Sequence, residues 1–215
     1  MPESALPPEL ELFAAERCSA ILRTPHAEAV APAMEAAVAG GFRIVEFTLN
    51  TPGALEHVAA FAARPGLLVG AGTVLELREA EAAVEAGARF LVSPVADPAL
   101  IRWCADRGIL CVPGVFTPGE MLAAHRAGAP VLKLFPGPPD GPAWVKVCRG
   151  PLPFLRIFPT SGVTEQNARA YLEAGSFGVG FVNVLFEPAD LAAGSFEAVR
   201  ERAERMVRIV RETPR

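Results

Sequence analysis

Val131-Leu132-Lys133-Leu134-Phe135-Pro136 reads as a short buried strand whose alternation sends Val131, Lys133 and Phe135 to one face and Leu132 and Leu134 to the other. A lysine among apolar neighbours has two outcomes. Its ammonium escapes to solvent at the strand end, or it stays buried with a lowered pKa and becomes a nucleophile near neutral pH. The residue count adds weight to the second outcome. Of 20 basic residues only Lys133 and Lys146 are lysines, and the rest are arginines, which cannot form an imine.

Working outward, the same kind of segment recurs along the chain. Strands are predicted over 18–22, 42–48, 67–70, 89–93, 110–113, 131–135, 155–159 and 177–182. Helices are predicted between them over 24–40, 52–63, 76–86, 98–107, 118–126, 142–147 and 165–174, with a charged helix over 196–211 after the last strand and its following turn. A short amphipathic lead helix is expected over 4–15. Gly40-Gly41, Gly87, Gly128 and Gly175 close four of the helices, and Pro25 is expected in the first turn of the helix that follows the first strand. Eight strands alternating with helices at a period of about two dozen residues predict a (β/α)8 TIM barrel in one domain spanning residues 1–215. A doubly wound sheet is the alternative. It would want a glycine-rich turn after its first strand, where this chain has Leu22-Arg23-Thr24-Pro25-His26.

Composition narrows the function classes. A net charge of −4 offers no basic face for nucleic acid, so no nucleic-acid partner is expected. The 51% hydrophobic content is broken by Gly, Pro and charge well short of the roughly 18–20 residues needed to span a bilayer, so no membrane partner is expected either. That apolar surplus is assigned to a buried parallel sheet, a subunit interface, or both. The N-terminus lacks the features of a signal peptide, which makes cytoplasmic location the expectation. Cys18, Cys104, Cys111 and Cys148 show no CxxC spacing and are read as buried free thiols. His26, His57 and His125 fall at helix starts or along helices, so no metal site is expected, and no cofactor.

In a barrel the chemistry gathers at the carboxyl ends of the strands. There the sequence places Arg23, Glu46 with Thr48 and Asn50, Gly72-Thr73, Ser93-Pro94, Gly114, Lys133, Thr160-Ser161-Gly162 and Asn183. In Ile44-Val45-Glu46-Phe47-Thr48 the alternation points Ile44, Glu46 and Thr48 into the barrel. A carboxylate there is costly unless paired, and Lys133 is its expected partner. A structural ion pair is one reading of the couple. The other is a nucleophilic amine with a carboxyl moving protons beside it, as imine chemistry on a 2-oxo acid requires. Arg23, the Thr73 hydroxyl and the N–H groups at Gly72-Thr73 are the candidate donors for the substrate carboxylate. The turn Thr160-Ser161-Gly162 before a helix start is a candidate for an anionic group at the other end, or an ordinary loop.

These residues, in this order, resemble the 2-keto-3-deoxy-6-phosphogluconate (KDPG) and 4-hydroxy-2-oxoglutarate (KHG) aldolase family. The resemblance runs from about Cys18 to Phe186. Its pieces are Val45-Glu46-Phe47-Thr48-Leu49, Gly70-Ala71-Gly72-Thr73-Val74, Val92-Ser93-Pro94, Pro113-Gly114-Val115, Lys133-Leu134-Phe135-Pro136 and Pro159-Thr160-Ser161-Gly162-Val163. It implies a homotrimeric barrel that cleaves its substrate to pyruvate and an aldehyde through a Schiff base. Lys133 matches the imine-forming lysine, Glu46 the general acid/base and Thr73 a residue at the pyruvate carboxylate, while Pro94 and Phe135 line the pocket. Asn50 stands where some members have an arginine, and Arg23 is expected to supply the charge. Ser161 and Val182-Asn183 depart from the glycine and glycine-serine usual at the phosphate end, which leaves 4-hydroxy-2-oxoglutarate or another unphosphorylated substrate open beside the phosphorylated sugar acid. Two further readings stay open: a non-catalytic barrel binding a small anionic metabolite, with Lys133 and Glu46 a buried ion pair, and, from barrel architecture alone, a phosphosugar isomerase or synthase.

Overall fold

The computed structural model describes residues 7–215. Its first element is helix α1 (Pro8–Glu16), and residues 4–6 of the predicted lead helix lie outside the described residues. Eight parallel strands follow: β1 (Cys18–Leu22), β2 (Ile44–Thr48), β3 (Leu68–Gly72), β4 (Phe90–Ser93), β5 (Leu110–Val115), β6 (Leu132–Leu134), β7 (Ile157–Pro159) and β8 (Val179–Phe181). The order β7-β6-β5-β4-β3-β2-β1-β8 puts β7 and β8 at the two ends of the ladder. The β7–β8 seam is joined by the Phe177 N–H donating to the Ile157 carbonyl at 2.8 Å rather than by a full ladder. The result is a nearly closed TIM barrel, as the βα periodicity predicts.

The helices are α2 (Val30–Ala39), α3 (Ala54–Ala62), α4 (Leu77–Glu85), α5 (Pro98–Asp106), α6 (Pro118–Arg126), α7 (Gly141–Arg149), α8 (Ala168–Glu173), α9 (Pro188–Ala193) and α10 (Phe196–Glu212). Their starts are written locally. Thr117 and Glu120 form a capping box on α6, and the Asp97 carboxylate accepts the Ala99 N–H at 2.8 Å to open α5. Gly41, Gly87, Gly128 and Gly175 all adopt positive φ just past a helix end, where a side chain would be strained.

Three local expectations need correcting. The helix expected from residue 24 starts later, with a 3-10 turn at Ala27–Ala29 and α2 from Val30, because the Thr24 hydroxyl accepts the His26 N–H at 3.1 Å and folds Pro25 into a turn. The seventh βα helix begins at Ala168 rather than 165, since the Asn167 side chain accepts the Thr164 N–H and donates to the Gly162 carbonyl, both at 2.8 Å. The turn expected after β8 contains α9, with Pro188 in its first turn and Gly194 in a left-handed conformation at its end.

Two apolar layers result. One lies between the barrel wall and the helices. The other fills the barrel, where Phe90, Val112, Val131 and Phe158 meet Leu10 and Phe13 of α1. Helix α1 therefore covers the amino end of the barrel. Phe13 sets its ring edge-on to Phe90 and Phe158, with centroids 5.2 and 5.5 Å away. With that end filled, the opposite end is left for chemistry.

Candidate active site

Lys133 and Glu46 project inward from β6 and β2, and both are almost completely buried, at 5% and 2% exposure. Their surroundings differ. Lys133 lines a cavity of about 190 Å³ at the carboxyl end of the barrel together with Arg23, Phe135, Thr160, Ser161, Gly162 and Asn183. Its ammonium nitrogen sits 5.1 Å from the centroid of the Phe135 ring. Seven of the residues singled out from sequence thus meet in one space, closed by Ile21, Val163, Val182 and Val184. Ile21 and Val184 carry no polar side chain and were not identifiable as pocket residues from sequence, whereas Val163 and Val182 stand in the segments read for the phosphate end.

Glu46 does not line that cavity. It borders a separate, largely apolar internal space with Ser19, Ile21, Phe90 and Thr160. The Oε1 atom has no hydrogen-bond partner among the described residues, and amine and carboxyl do not close into the direct ion pair expected for them. They act on each other through the field. Burial pulls the Lys133 pKa below its ordinary value, opposed by the Glu46 charge and reinforced by Arg23. Burial pushes Glu46 up, opposed by Lys133 and Arg23. Both shifts favour the neutral forms. A free amine beside a protonated carboxyl is the combination that carbinolamine formation and dehydration need.

Gly72, at the end of β3, provides the room for this carboxyl. A Cβ there would lie 1.8 Å from Glu46 Oε1, so only glycine admits the side chain in this pose. Thr73 follows in a left-handed conformation, φ 60°, which is uncommon for a β-branched residue. Neither residue borders the Lys133 cavity. Thr48 is fully buried, and its hydroxyl is engaged by Thr51 Oγ1 at 3.0 Å and the Leu22 carbonyl at 3.3 Å. Pro94 borders a neighbouring cleft that it shares with Gly114 and Phe135. Ser19 was missed from sequence, although a polar residue in the inward register of β1, two before Ile21 and four before Arg23, was a readable signal.

The family model for KDPG and KHG aldolases matches residues 11–201. The chain belongs to that family. It is 40% identical over 189 residues to the probable 2-dehydro-3-deoxy-6-phosphogalactonate aldolase of Rhizobium meliloti (strain 1021), covering 86% of each chain. Among solved structures it is similar to native KDPGal, with a TM-score of 0.81 and 32% identity over 91% of this chain and 95% of that one. It is similar also to the Legionella pneumophila KDPG aldolase with pyruvate captured as a covalent carbinolamine, with a TM-score of 0.78 and 26% identity over 91% and 96% of the two chains. As a family member this aldolase is an aldehyde-lyase on a TIM barrel. Among the described residues no three His, Cys, Asp or Glu side chains converge, and no helix is long and apolar enough to cross a membrane.

Proposed function

We propose that this aldolase is a class I enzyme that cleaves a KDPG- or KHG-type 2-oxo acid to pyruvate and an aldehyde, glyceraldehyde 3-phosphate or glyoxylate, with Lys133 as the imine-forming amine. The observation that carries the reading is a nearly buried lysine, its pKa lowered, opening onto a cavity that also holds Arg23. The Lys133 Nζ attacks the substrate 2-carbonyl, and the carbinolamine loses its hydroxyl as water with a proton derived from Glu46. The iminium draws the electrons of the C3–C4 bond as the 4-hydroxyl loses its proton, releasing the aldehyde and leaving an enamine. Protonation at C3 and hydrolysis then return pyruvate and the free amine. Arg23 is assigned to the carboxylate. Phe135, Pro94 and Thr73 are assigned to the pyruvyl end, and Thr160, Ser161, Gly162 and Asn183 to the aldehyde end. The iminium is itself the electron sink, so the chemistry calls on no cofactor.

The test is mass spectrometry after incubation with pyruvate and borohydride, followed by peptide mapping. A pyruvate-sized addition on the Lys133 peptide supports the reading, together with loss of activity in Lys133→Ala and its retention in Lys146→Ala. No addition, or addition only at Lys146, refutes it.

The working form is proposed to be a cytoplasmic homotrimer of single-domain barrels. Leu75 and Val95, on the loops after β3 and β4, and Leu77, the first residue of α4, are 50%, 52% and 40% exposed and suit burial against a second copy. Sedimentation equilibrium at three times the monomer mass is the expected result, and a monomer would refute this part.

A further inference from the structure

Arg23 stands just past the paired part of β1. The register with β8 ends at Ala20 opposite Phe181, and the register with β2 ends at Leu22 opposite Phe47. Arg23 lies beyond both, where it borders the cavity that holds Lys133. It is exposed, and a long flexible side chain of this kind is aimed only as well as the backbone that carries it.

That backbone is tied on both sides to the turn after β2. The Thr51 N–H donates to the Thr48 carbonyl at 2.8 Å, and the two threonine hydroxyls meet at 3.0 Å. Before Arg23, the Leu22 carbonyl accepts from this pair, with Thr48 Oγ1 3.3 Å and Thr51 Oγ1 3.4 Å away. After Arg23, the buried Thr24 N–H donates to Thr51 Oγ1 at 3.4 Å. Each hydroxyl has one proton, so one of the two donates to Leu22 while the other donates to its neighbour. Thr51 is thus the side chain that meets both flanks of the arginine. The Thr24 hydroxyl then accepts the His26 N–H at 3.1 Å and fixes the chain as it leaves the site.

Thr48 and Thr51 are 0% and 3% exposed, at positions where valine has the same shape and buries no hydroxyl. Their hydroxyls converge on the short stretch of backbone that carries Arg23. We infer that Thr51, supported by Thr48, is a positioning residue for Arg23: its hydroxyl bridges the peptide groups before and after the arginine and sets where the guanidinium meets the carboxylate of the 2-oxo acid. The inference rests on the assignment of Arg23 to that carboxylate made above. Without the hydroxyl, the Thr24 N–H loses its acceptor in a buried place and the arginine's backbone is free to turn.

The experiment reads the pyruvate concentration at which borohydride trapping on Lys133 is half-maximal. It compares the parent, Thr51→Val, Thr51→Ser, Arg23→Ala and the double variant Arg23→Ala/Thr51→Val. For Thr51→Val that concentration rises at least about fivefold, the low end of what an unpaired buried donor costs, while the adduct yield at saturation is kept. Thr51→Ser keeps the hydroxyl and stays within about twofold of the parent. In the Arg23→Ala background the valine adds less than about twofold, because the group it positions is gone. Parent-like half-saturation in a folded Thr51→Val enzyme overturns the inference, and so do single effects that multiply in the double variant. If Thr51→Val does not fold, Thr51→Ala, which places no methyl where the hydroxyl was, carries the same prediction. If neither folds, Thr51 serves the fold and the inference falls. Parent-like half-saturation in Arg23→Ala overturns instead the assignment of Arg23, and absence of trapping in the parent overturns the imine mechanism.

Discussion

The Glu46 carboxyl rests directly on the α-carbon of Gly72. A Cβ at residue 72 would stand 1.8 Å from Oε1 and 2.7 Å from the carboxyl carbon, so the end of the Glu46 side chain would have to move. The pose of this carboxyl is therefore set by a strand that contributes no side chain to it.

Gly72→Ala is expected to force the carboxyl out of this pose. The cleavage rate should fall by about 10²-fold, within the range attributed to a positioned acid or base, while pyruvate still reaches Lys133. Overpacking should also destabilise the fold by about 1–3 kcal/mol. Steady-state kinetics beside a urea titration separates the two effects, and an alanine variant with parent kcat would show that the pose is irrelevant to the reaction.

Arg23→Ala should weaken pyruvate binding by about 10–100-fold, the equivalent of one charge-assisted hydrogen bond. The concentration dependence of borohydride trapping reads this directly. Asn183→Ala serves as the control, since Asn183 is assigned to the aldehyde end and should leave the pyruvate dependence alone.

The titration of Lys133 should respond with opposite signs to its two charged neighbours. Its pKa is held below 10.5 by burial, raised by Glu46 and lowered by Arg23. Amine reactivity therefore climbs with pH and passes its midpoint below pH 10.5. Glu46→Gln removes the negative neighbour, disfavours the ammonium and moves the midpoint down, whereas Arg23→Ala removes a positive one and moves it up. Reductive methylation at limiting formaldehyde, mapped to the Lys133 peptide across pH, measures the free amine without needing pyruvate to bind. Shifts of the same sign in both variants would refute the electrostatic account.

Phe13→Ala should cost stability without touching the chemistry. The ring is 1% exposed and sits edge-on to Phe90 and Phe158 at the amino end of the barrel. Deleting it should destabilise the protein by about 3–5 kcal/mol, seen as a lower denaturant midpoint, with KM for pyruvate unchanged at temperatures where the variant is folded. A stability loss under 1 kcal/mol would mean that α1 is not part of the core.

The positions of all eight strands were legible in the chain because a strand buried on both faces needs a short apolar run. The glycine that ends a helix needs a positive φ, and Gly41, Gly87, Gly128 and Gly175 supply it. Lys133 and Glu46 were legible for the same reason, as charges written into runs where a charge is costly. The start of α2 was not, because it depends on which partner the Thr24 hydroxyl finds, and α9 was passed over despite its proline start and glycine stop. Periodicity says which face a side chain takes but not how high in the barrel it stands or what lies across from it. The stagger of strands around the barrel decides that. Only the tertiary structure could place Lys133 on the cavity at the barrel end and Glu46 on a separate internal space, with Ile21 and Thr160 bordering both, and bring Ser19, which no motif marks, to that second space.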